Sequence, residues 1–265
     1  MRLKEQWLAE YNAWQKSSLK GKNYVYIWVD GVYFNVRLTG EKQCILVVIG
    51  ALEDGTKELI AVHDGFRESE ISWTEVLLGI KKRGLDLSPK LAIGDGALGF
   101  WAALEKIFPT TRAQRCWCHK TANVLNKLPK KLHDNAKAAL HEIWMAEKRS
   151  DATEAYNQFV ETYKAKYEKA VDCLSKDIDE MLAFYDFPAE HWSHLRTTNP
   201  IESTFATVRL RTKRTKGSGS AEATMMMVFK LMQSAQERWR KLRGYELLKD
   251  VVQDVKFEDG LKIAA

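Results

Sequence analysis

The stretch YVYIWVD, from Tyr24 to Asp30, places six aromatic or β-branched residues directly before a carboxylate. A run of this kind reads as a buried strand. QCILVVIGAL (Gln43 to Leu52) and KELIAVHD (Lys57 to Asp64) repeat the pattern, and the Asp54-Gly55 pair between them is a hairpin signal. Three consecutive antiparallel strands follow from this. Ser69 to Arg83 then carries Ile71, Val76, Leu77, Leu78 and Ile80 at helical spacing, with Gly84 as the stop. KLAIGD (Lys90 to Asp95) reads as a fourth strand, ALGFWAALEKIF as a helix ended by Pro109, and TRAQRCW (Thr111 to Trp117) as a fifth strand. The order is β-β-β-α-β-α-β, an α/β mixed sheet.

Beyond the sheet the pattern changes. Lys120 to about His191 is rich in Ala, Lys and Glu at helical spacing, as in KAALHEIWMAEKR, and reads as an all-helical insertion entered near Pro129 and left near Pro188. RTTNPIESTFATVRLRTKRTKG (Arg196 to Gly217) and AEATMMMVFKLMQSAQERWRKL give two closing helices, in which Met225, Met226 and Met227 read as packing. The implied division is residues 1–22 as a helical lead-in, 23–119 as the first part of the core, 120–194 as the insertion, and 195–265 as the helices that complete the core.

The chain has 265 residues, 45% hydrophobic and 29% charged, which suffices for a substantial core. No stretch resembles a signal peptide or reaches membrane-spanning length, so a cytoplasmic, nucleoid-associated location is expected. Cys44, Cys116, Cys118 and Cys173 are too few and irregular for a disulfide framework and are expected to be reduced. The net charge of +6 is unevenly spread: Phe205 to Tyr245 holds ten Lys or Arg against two acids. Such a field suits a polyanion, although a solvated helix face would produce it too.

Three acids stand out by position. Asp30 and Asp95 each close an apolar strand, where burying a carboxylate is costly without compensation. Two such acids, with a third from a helix, form a plausible hard-oxygen site for Mg²⁺. Asp64 also closes a strand but precedes Gly65 and an acidic loop, and reads as a turn residue. Glu202 has a purely local explanation: in Asn199-Pro200-Ile201-Glu202, Asn199 can cap the helix and Glu202 then falls third, as a capping box requires. Cys116-Trp117-Cys118-His119 suggests zinc, but the spacing is tighter than that of usual ligand pairs and no second pair exists. Trp28 and Trp101 read as core, whereas Trp192 and Trp239 are candidates for stacking on an unpaired base.

The motifs YIWVDGVYFNVR around Asp30, IGDGALGFW around Asp95, FPTTRAQRCWCHK through His119 and RTTNPIESTFATVRLRT around Glu202 resemble those of the Mutator-type DDE transposases of bacterial insertion sequences. The resemblance runs from Leu3 to about Ile263. It implies a ribonuclease-H-like fold with Asp30, Asp95 and Glu202 as the catalytic, metal-binding triad, and the helical insertion before the last acid. It also implies two Mg²⁺ or Mn²⁺ ions, about 3.5–4 Å apart, for cleavage and strand transfer at insertion-sequence ends. Cys116 and His119 match the family's Cys-x-x-His motif beside the active site, with His119 poised to contact the scissile phosphate or orient water. Arg209, Arg211, Lys213, Arg214 and Lys216 would hold DNA phosphates without reading sequence. Insertion-sequence ends and target DNA are the implied partners, with a homodimer or higher oligomer assembled on DNA and no membrane.

Members of that family usually carry a further N-terminal region that recognises the terminal repeats. Only about twenty residues precede the first strand here, so the expected unit is the catalytic and C-terminal portion. Two alternatives remain open at this level: a ribonuclease-H-like nuclease that cleaves without joining, and a non-catalytic DNA-binding remnant.

Overall fold

The computed structural model describes residues 2–36, 42–65, 67–96, 98–214 and 220–263, with the side chains of 2, 3, 98 and 211–214 outside that description. The run that begins at Tyr24 does not stop at Asp30. β1 spans Tyr24–Asn35, and Asp30 lies inside it because Val32 and Phe34 continue the alternation as buried residues between the exposed Tyr33 and Asn35. β2 (Lys42–Leu52) pairs antiparallel along all of β1, from Tyr24 opposite Leu52 to Asn35 opposite Lys42. β3 (Lys57–Gly65) pairs antiparallel with β2. In the turn between them the Asp54 carboxylate accepts from the Thr56 backbone N–H at 2.9 Å and from its hydroxyl at 2.8 Å. Asp64 is the penultimate residue of β3 rather than a turn residue, and its carboxylate accepts from the Gln43 amide at 2.7 Å.

β4 (Leu91–Gly94) and β5 (Arg112–Arg115) run parallel to β1, giving a five-stranded mixed sheet in the order β3-β2-β1-β4-β5. With α1 (Arg2–Gln15) ahead of the sheet, α2 (Glu70–Lys82) after β3 and α3 (Leu98–Ile107) after β4, the expected succession of elements is met. The alternation of β1 divides the core. Ile27 and Val29 pack with Trp73 and Leu77 of α2 and Phe100 and Leu104 of α3. Tyr26, Trp28, Val32 and Phe34 belong to a second, larger cluster on the opposite face.

That second face is covered by helices. α4 (Trp117–Leu125), α5 (His133–Met145), α6 (Arg149–Ser175), α7 (Ile178–Met181) and α8 (Trp192–Leu195) follow with short 3₁₀ turns between them. The change from sheet to helix therefore comes at Trp117, three residues before the expected boundary. Phe159, Leu174, Phe184 and Leu195 share one hydrophobic cluster with the sheet, so these helices have no separate core. Trp192, read from sequence as a possible base-stacking residue, is buried: its ring lies 4.9 Å from that of Tyr185 and its Nε1 donates to the Phe187 carbonyl at 2.9 Å. α9 (Asn199–Arg214) and α10 (Ala221–Gln236) complete this layer, with Met225 and Met226 buried. Tyr11 of α1 meets Phe229 of α10 edge-on at 5.2 Å.

The C-terminus adds α11 (Leu248–Val252) and a small hairpin, β6 (Phe257–Glu258) and β7 (Leu261–Lys262), that the hydrophobic pattern is too short to reveal. Its Asp259-Gly260 turn docks on the helical layer, with Gly260 N–H donating to the Tyr185 carbonyl at 3.1 Å and Asp259 accepting from the Arg149 N–H at 2.7 Å. No helix among the described residues is long and apolar enough to cross a membrane.

One buried charge group sets how α4 sits. Lys120 on α4 forms a direct ion pair with Asp177, the residue before α7, while Arg115 Nη2 at the end of β5 lies 3.7 Å from the other oxygen of Asp177. All three side chains are at most 11% exposed. Replacing Asp177 with Leu leaves two buried cations without their shared anion. Urea unfolding should show a loss of about 3–5 kcal/mol, whereas a surface pair would give under about 1 kcal/mol.

Candidate active site

Asp30 shares the face of β1 that carries Trp28 and Phe34. Trp28 Nε1 donates to the His194 carbonyl at 2.9 Å, just ahead of α9, and the Phe34 ring lies 6.0 Å from Phe205 on α9. Between these anchors passes the first part of α9, with Glu202 three residues before Phe205. On the other side, β1 pairs with β4 up to Trp28 opposite Ile93. Two further residues along the same register bring Asp95 level with Asp30. Residues 65 and 107 positions apart in sequence are thereby brought to one end of the sheet.

Asp30 is only 7% exposed and has no hydrogen bond or ion pair among the described residues. Burial pushes its carboxyl up to about 7; His119 opposes the rise, while Asp95, Glu202 and Cys116 add to it. Asp95 is held through its backbone: its carbonyl accepts from Trp101 Nε1 at 2.8 Å and Arg115 Nη1 at 3.2 Å, with the Arg115 guanidinium 4.1 Å over the Trp101 ring. Trp101 is thus half-buried in a supporting role and not simply core.

At α9 the first i to i−4 bond runs from Glu202 N–H to the Thr198 carbonyl at 3.1 Å. Thr198, not Asn199, therefore holds the cap position, and Glu202 falls one residue beyond the place a capping box needs. Its carboxylate accepts from the Thr198 hydroxyl at 3.2 Å and lies 3.5 Å from His119 Nε2. The sulfur of Cys116, at the N-cap of α4, accepts from Thr198 N–H at 3.3 Å. One ligand atom each from Cys116, His119 and Glu202 all lie within 4.8 Å of one another, and among the described residues this is the group close enough to hold a metal ion.

The thiol of Cys118, which has no role legible in sequence, hydrogen-bonds Cys116 and holds the Cys116 thiol well below its ordinary value, with His119 reinforcing the effect. Cys118 is correspondingly raised. A hydrogen-bonded contact with the Cys116 sulfur pushes His119 up to about 9 against the opposing effect of burial. Both shifts favour the charged forms, a thiolate on Cys116 and an imidazolium on His119.

Glu68, just before α2, joins this group without a signal in the sequence. Its side chain fills the space that a Cβ on Gly31 would take, next to Asp30, so any larger residue there would have to displace Glu68. A Cβ on Gly99, near the start of α3, would stand 2.5 Å from the Glu68 carbonyl, so a second glycine lets the loop close down. Burial pushes the Glu68 carboxyl up to about 8, with Asp95 and then Asp30 adding to the rise.

Of the basic segment, Arg209 is exposed on α9, two helical turns beyond Glu202. Arg211, Lys213 and Arg214 lie on the same helix with side chains outside the description, and Lys216 lies outside the described residues. Lys230 instead pairs with Glu10 at 2.6 Å, and Lys241 with Asp54 at 3.2 Å. A groove of about 650 Å³ opens beside Glu202, bordered by Asn199, Lys57, His194, Trp239 and Arg240. A second, of about 320 Å³, shares Ser203 and Trp239 with it and reaches Arg238. Trp239 is half-buried and lines both.

This is a mixed α/β protein with a buried acid, Asp30, in its central strand and a groove edged with cations beside Glu202. The profile described as "Transposase, Mutator family" matches residues 2–242, and the chain belongs to that family; DNA transposition is the activity that membership brings. The transposase for insertion sequence element IS6120 of Mycolicibacterium smegmatis is 53% identical over 93% of this chain and 76% of its own length. That for IST2 of Acidithiobacillus ferrooxidans is 51% identical over 98% of this chain and 88% of its own. The transposase for IS256 in transposon Tn4001 of Staphylococcus aureus is 32% identical over 80% of this chain and 55% of its own.

The raised carboxyls imply a pH signature in chelator-containing buffer. A carboxyl raised by the fold binds its proton more tightly folded than unfolded, so stability is lost as pH climbs from its unfolded value through about 7 for Asp30 and about 8 for Glu68. The lowered His191 and His194 act in the opposite sense only below about 6.5, their unfolded value. The lowered Cys116 thiol and the raised His119 imidazole act on this slope in opposite senses and so offset each other. The thermal midpoint should therefore fall between pH 6.5 and 8, and Asp30→Asn should make the fall shallower; a midpoint that rises over this window contradicts the buried acids.

Proposed function

We propose that this chain catalyses divalent-cation-dependent cleavage and strand transfer at insertion-sequence ends, through a ribonuclease-H-like core with Asp30, Asp95 and Glu202 as its triad. The observation that supports the reading is the Asp30 carboxylate: it is buried without a hydrogen-bonding partner among the described residues, and both Asp95 and Glu202 disfavour its ionisation. Supporting it are the sheet order with β2 antiparallel and the helices α4 to α8 between the second and third acids. On this reading residues 23–119 and 195–265 form the core, 120–194 the insertion, and 1–22 a lead-in.

The donors fit a hard cation, since carboxylate oxygens suit Mg²⁺ or Mn²⁺ and Asp30 lacks any other counter-charge except the neighbouring imidazolium. When bound, two such ions would help activate the attacking hydroxyl and stabilise the leaving oxygen. Water attacks the phosphodiester, the phosphorus–O3′ bond breaks, and the freed 3′-hydroxyl then attacks target DNA in the same way. His119, kept cationic by the Cys116 thiolate, presents an N–H to a phosphate oxygen. Arg209 and its basic successors on α9 hold the backbone of the DNA, and the groove from Glu202 to Trp239 takes the strand being cut. Two DNA ends call for at least a dimer, and the substrate places the activity at the nucleoid.

Asp30→Asn and Asp95→Asn should abolish Mn²⁺-dependent nicking of donor DNA while leaving the thermal transition cooperative. Glu202→Gln, which keeps the Thr198 contact, should do the same. A precut donor end separates joining from hydrolysis: product joined to target supports a transposase, and hydrolysis alone supports the nuclease. Wild-type rates in Asp30→Asn would sink both readings.

Replacing Arg209, Arg211, Lys213 and Arg214 with Gln should weaken binding to all duplexes alike. The slope of log affinity against log salt should flatten by roughly one unit per lost phosphate contact. An unchanged slope would make α9 a merely solvated face.

A further inference from the structure

β1 and β4 pair only as far as Trp28 and Ile93, although β1 continues to Asn35. Past that point the described residues leave the β4 side of β1 without a strand partner, and both Asp30 and Asp95 sit at the opening. Asp30 faces the α9 side of the sheet. The missing Cβ of Gly31 points to the other side, toward α2, and the Glu68 side chain occupies that space. Glu68 therefore reaches the opening from the face opposite Glu202. Asp95 and then Asp30 act on its carboxyl as like charges, and His119 acts against them. Tyr33, two residues along β1 on the same side as Gly31, makes a hydrogen-bonding contact with it. The backbone at Glu68 is fixed in turn by close packing on Gly99.

We propose that Glu68 is a fourth cation-binding carboxylate, closing from the α2 side the site that Asp30, Asp95 and Glu202 open toward α9. Asp30 supplies the independent sign of a ligand, because it is 93% buried without a hydrogen-bonding partner among the described residues and lies beside the Gly31 position that Glu68 covers. A purely structural carboxylate, there only to meet Tyr33 or brace the loop, would gain nothing from standing among like charges. It would be more stable as an amide. A cation reverses that balance, since each added oxygen donor and negative charge tightens the binding of a hard divalent ion. The inference rests on the proposed cation site.

Mn²⁺ titrated alone into the full chain, followed by loss of the free-ion paramagnetic resonance signal, tests it without any DNA reaction. Glu68→Gln keeps the size of the side chain and its hydrogen-bonding capacity toward Tyr33. It should weaken Mn²⁺ binding on the order of tenfold or more, and should raise, not lower, the thermal midpoint in chelator. Glu68→Asp keeps the charge but withdraws the carboxylate by one methylene, and should also weaken Mn²⁺ binding if Glu68→Gln fails to fold. Asp30→Asn is the control. Wild-type affinity in Glu68→Gln or Glu68→Asp, beside loss in Asp30→Asn, overturns the role of Glu68 alone. Equal Mn²⁺ binding by wild type and Asp30→Asn overturns the cation site and this inference with it.

Discussion

The Thr198 N–H that reaches the Cys116 sulfur at 3.3 Å joins the end of β5 to the start of α9 across 82 residues of sequence. Beside it Trp117 N–H donates to the Arg196 carbonyl at 2.9 Å and Cys116 N–H to the Gly94 carbonyl at 2.7 Å, so one short seam stitches β4, β5, α4 and α9 together. Two acids and the histidine of the site each lie one to four residues from a stitch. Asp95 follows Gly94, His119 follows Cys116 by one turn, and Glu202 follows Thr198 by one turn. The seam carries little hydrophobic area of its own. It holds because both sides are anchored by larger contacts, Trp117 Nε1 to the Met181 carbonyl at 2.9 Å and Arg196 over the rings of Phe184 and Trp192.

Electrostatics at this seam do not favour the folded state. Two carboxyls raised toward neutrality sit with Asp95 and Glu202, and the nearby guanidinium of Arg115 is engaged elsewhere, over Trp101 and toward Asp177. Among the described residues His119 is a cation that acts on both raised acids, and it also contacts the Cys116 sulfur. A fold selected for stability alone would replace such a group with apolar side chains or a complete ion pair. Acids held in this state are a deficit of positive charge, and a divalent cation together with a phosphate-bearing substrate is what the deficit suits.

The strands β1 to β4 were legible because each holds an apolar run, while β5 is polar and was legible only by its place after the Pro109 stop; Asp30 and Asp95 stood out because each follows such a run, and Glu202 only through the family resemblance. Other features depend on through-space contacts. β1 continues past Asp30 because Val32 and Phe34 are buried by α9, which lies far away in sequence. Thr198 displaces Asn199 as the cap because Cys116 fixes its backbone N–H. Trp192 is buried by Tyr185 and Phe184, residues of an irregular segment with no period to read. Glu68 sat in a polar loop between two well-defined elements. Its one trace, the glycine after Asp30, has meaning only once the loop is known to fold back over β1.

The charge order along α9 illustrates why composition alone could not decide its role. An acid in the first turn and Arg or Lys in the last is what the helix dipole favours, whatever the helix does. Local electrostatics therefore account for Glu202 and for Arg211, Lys213 and Arg214 as well as DNA binding does. The carboxylate serves both ends of the question, turning back to the hydroxyl of its own cap residue, Thr198, while it also faces His119 across the seam. The helix terminus tolerates the acid, and the opposing α4 gives it something to act on.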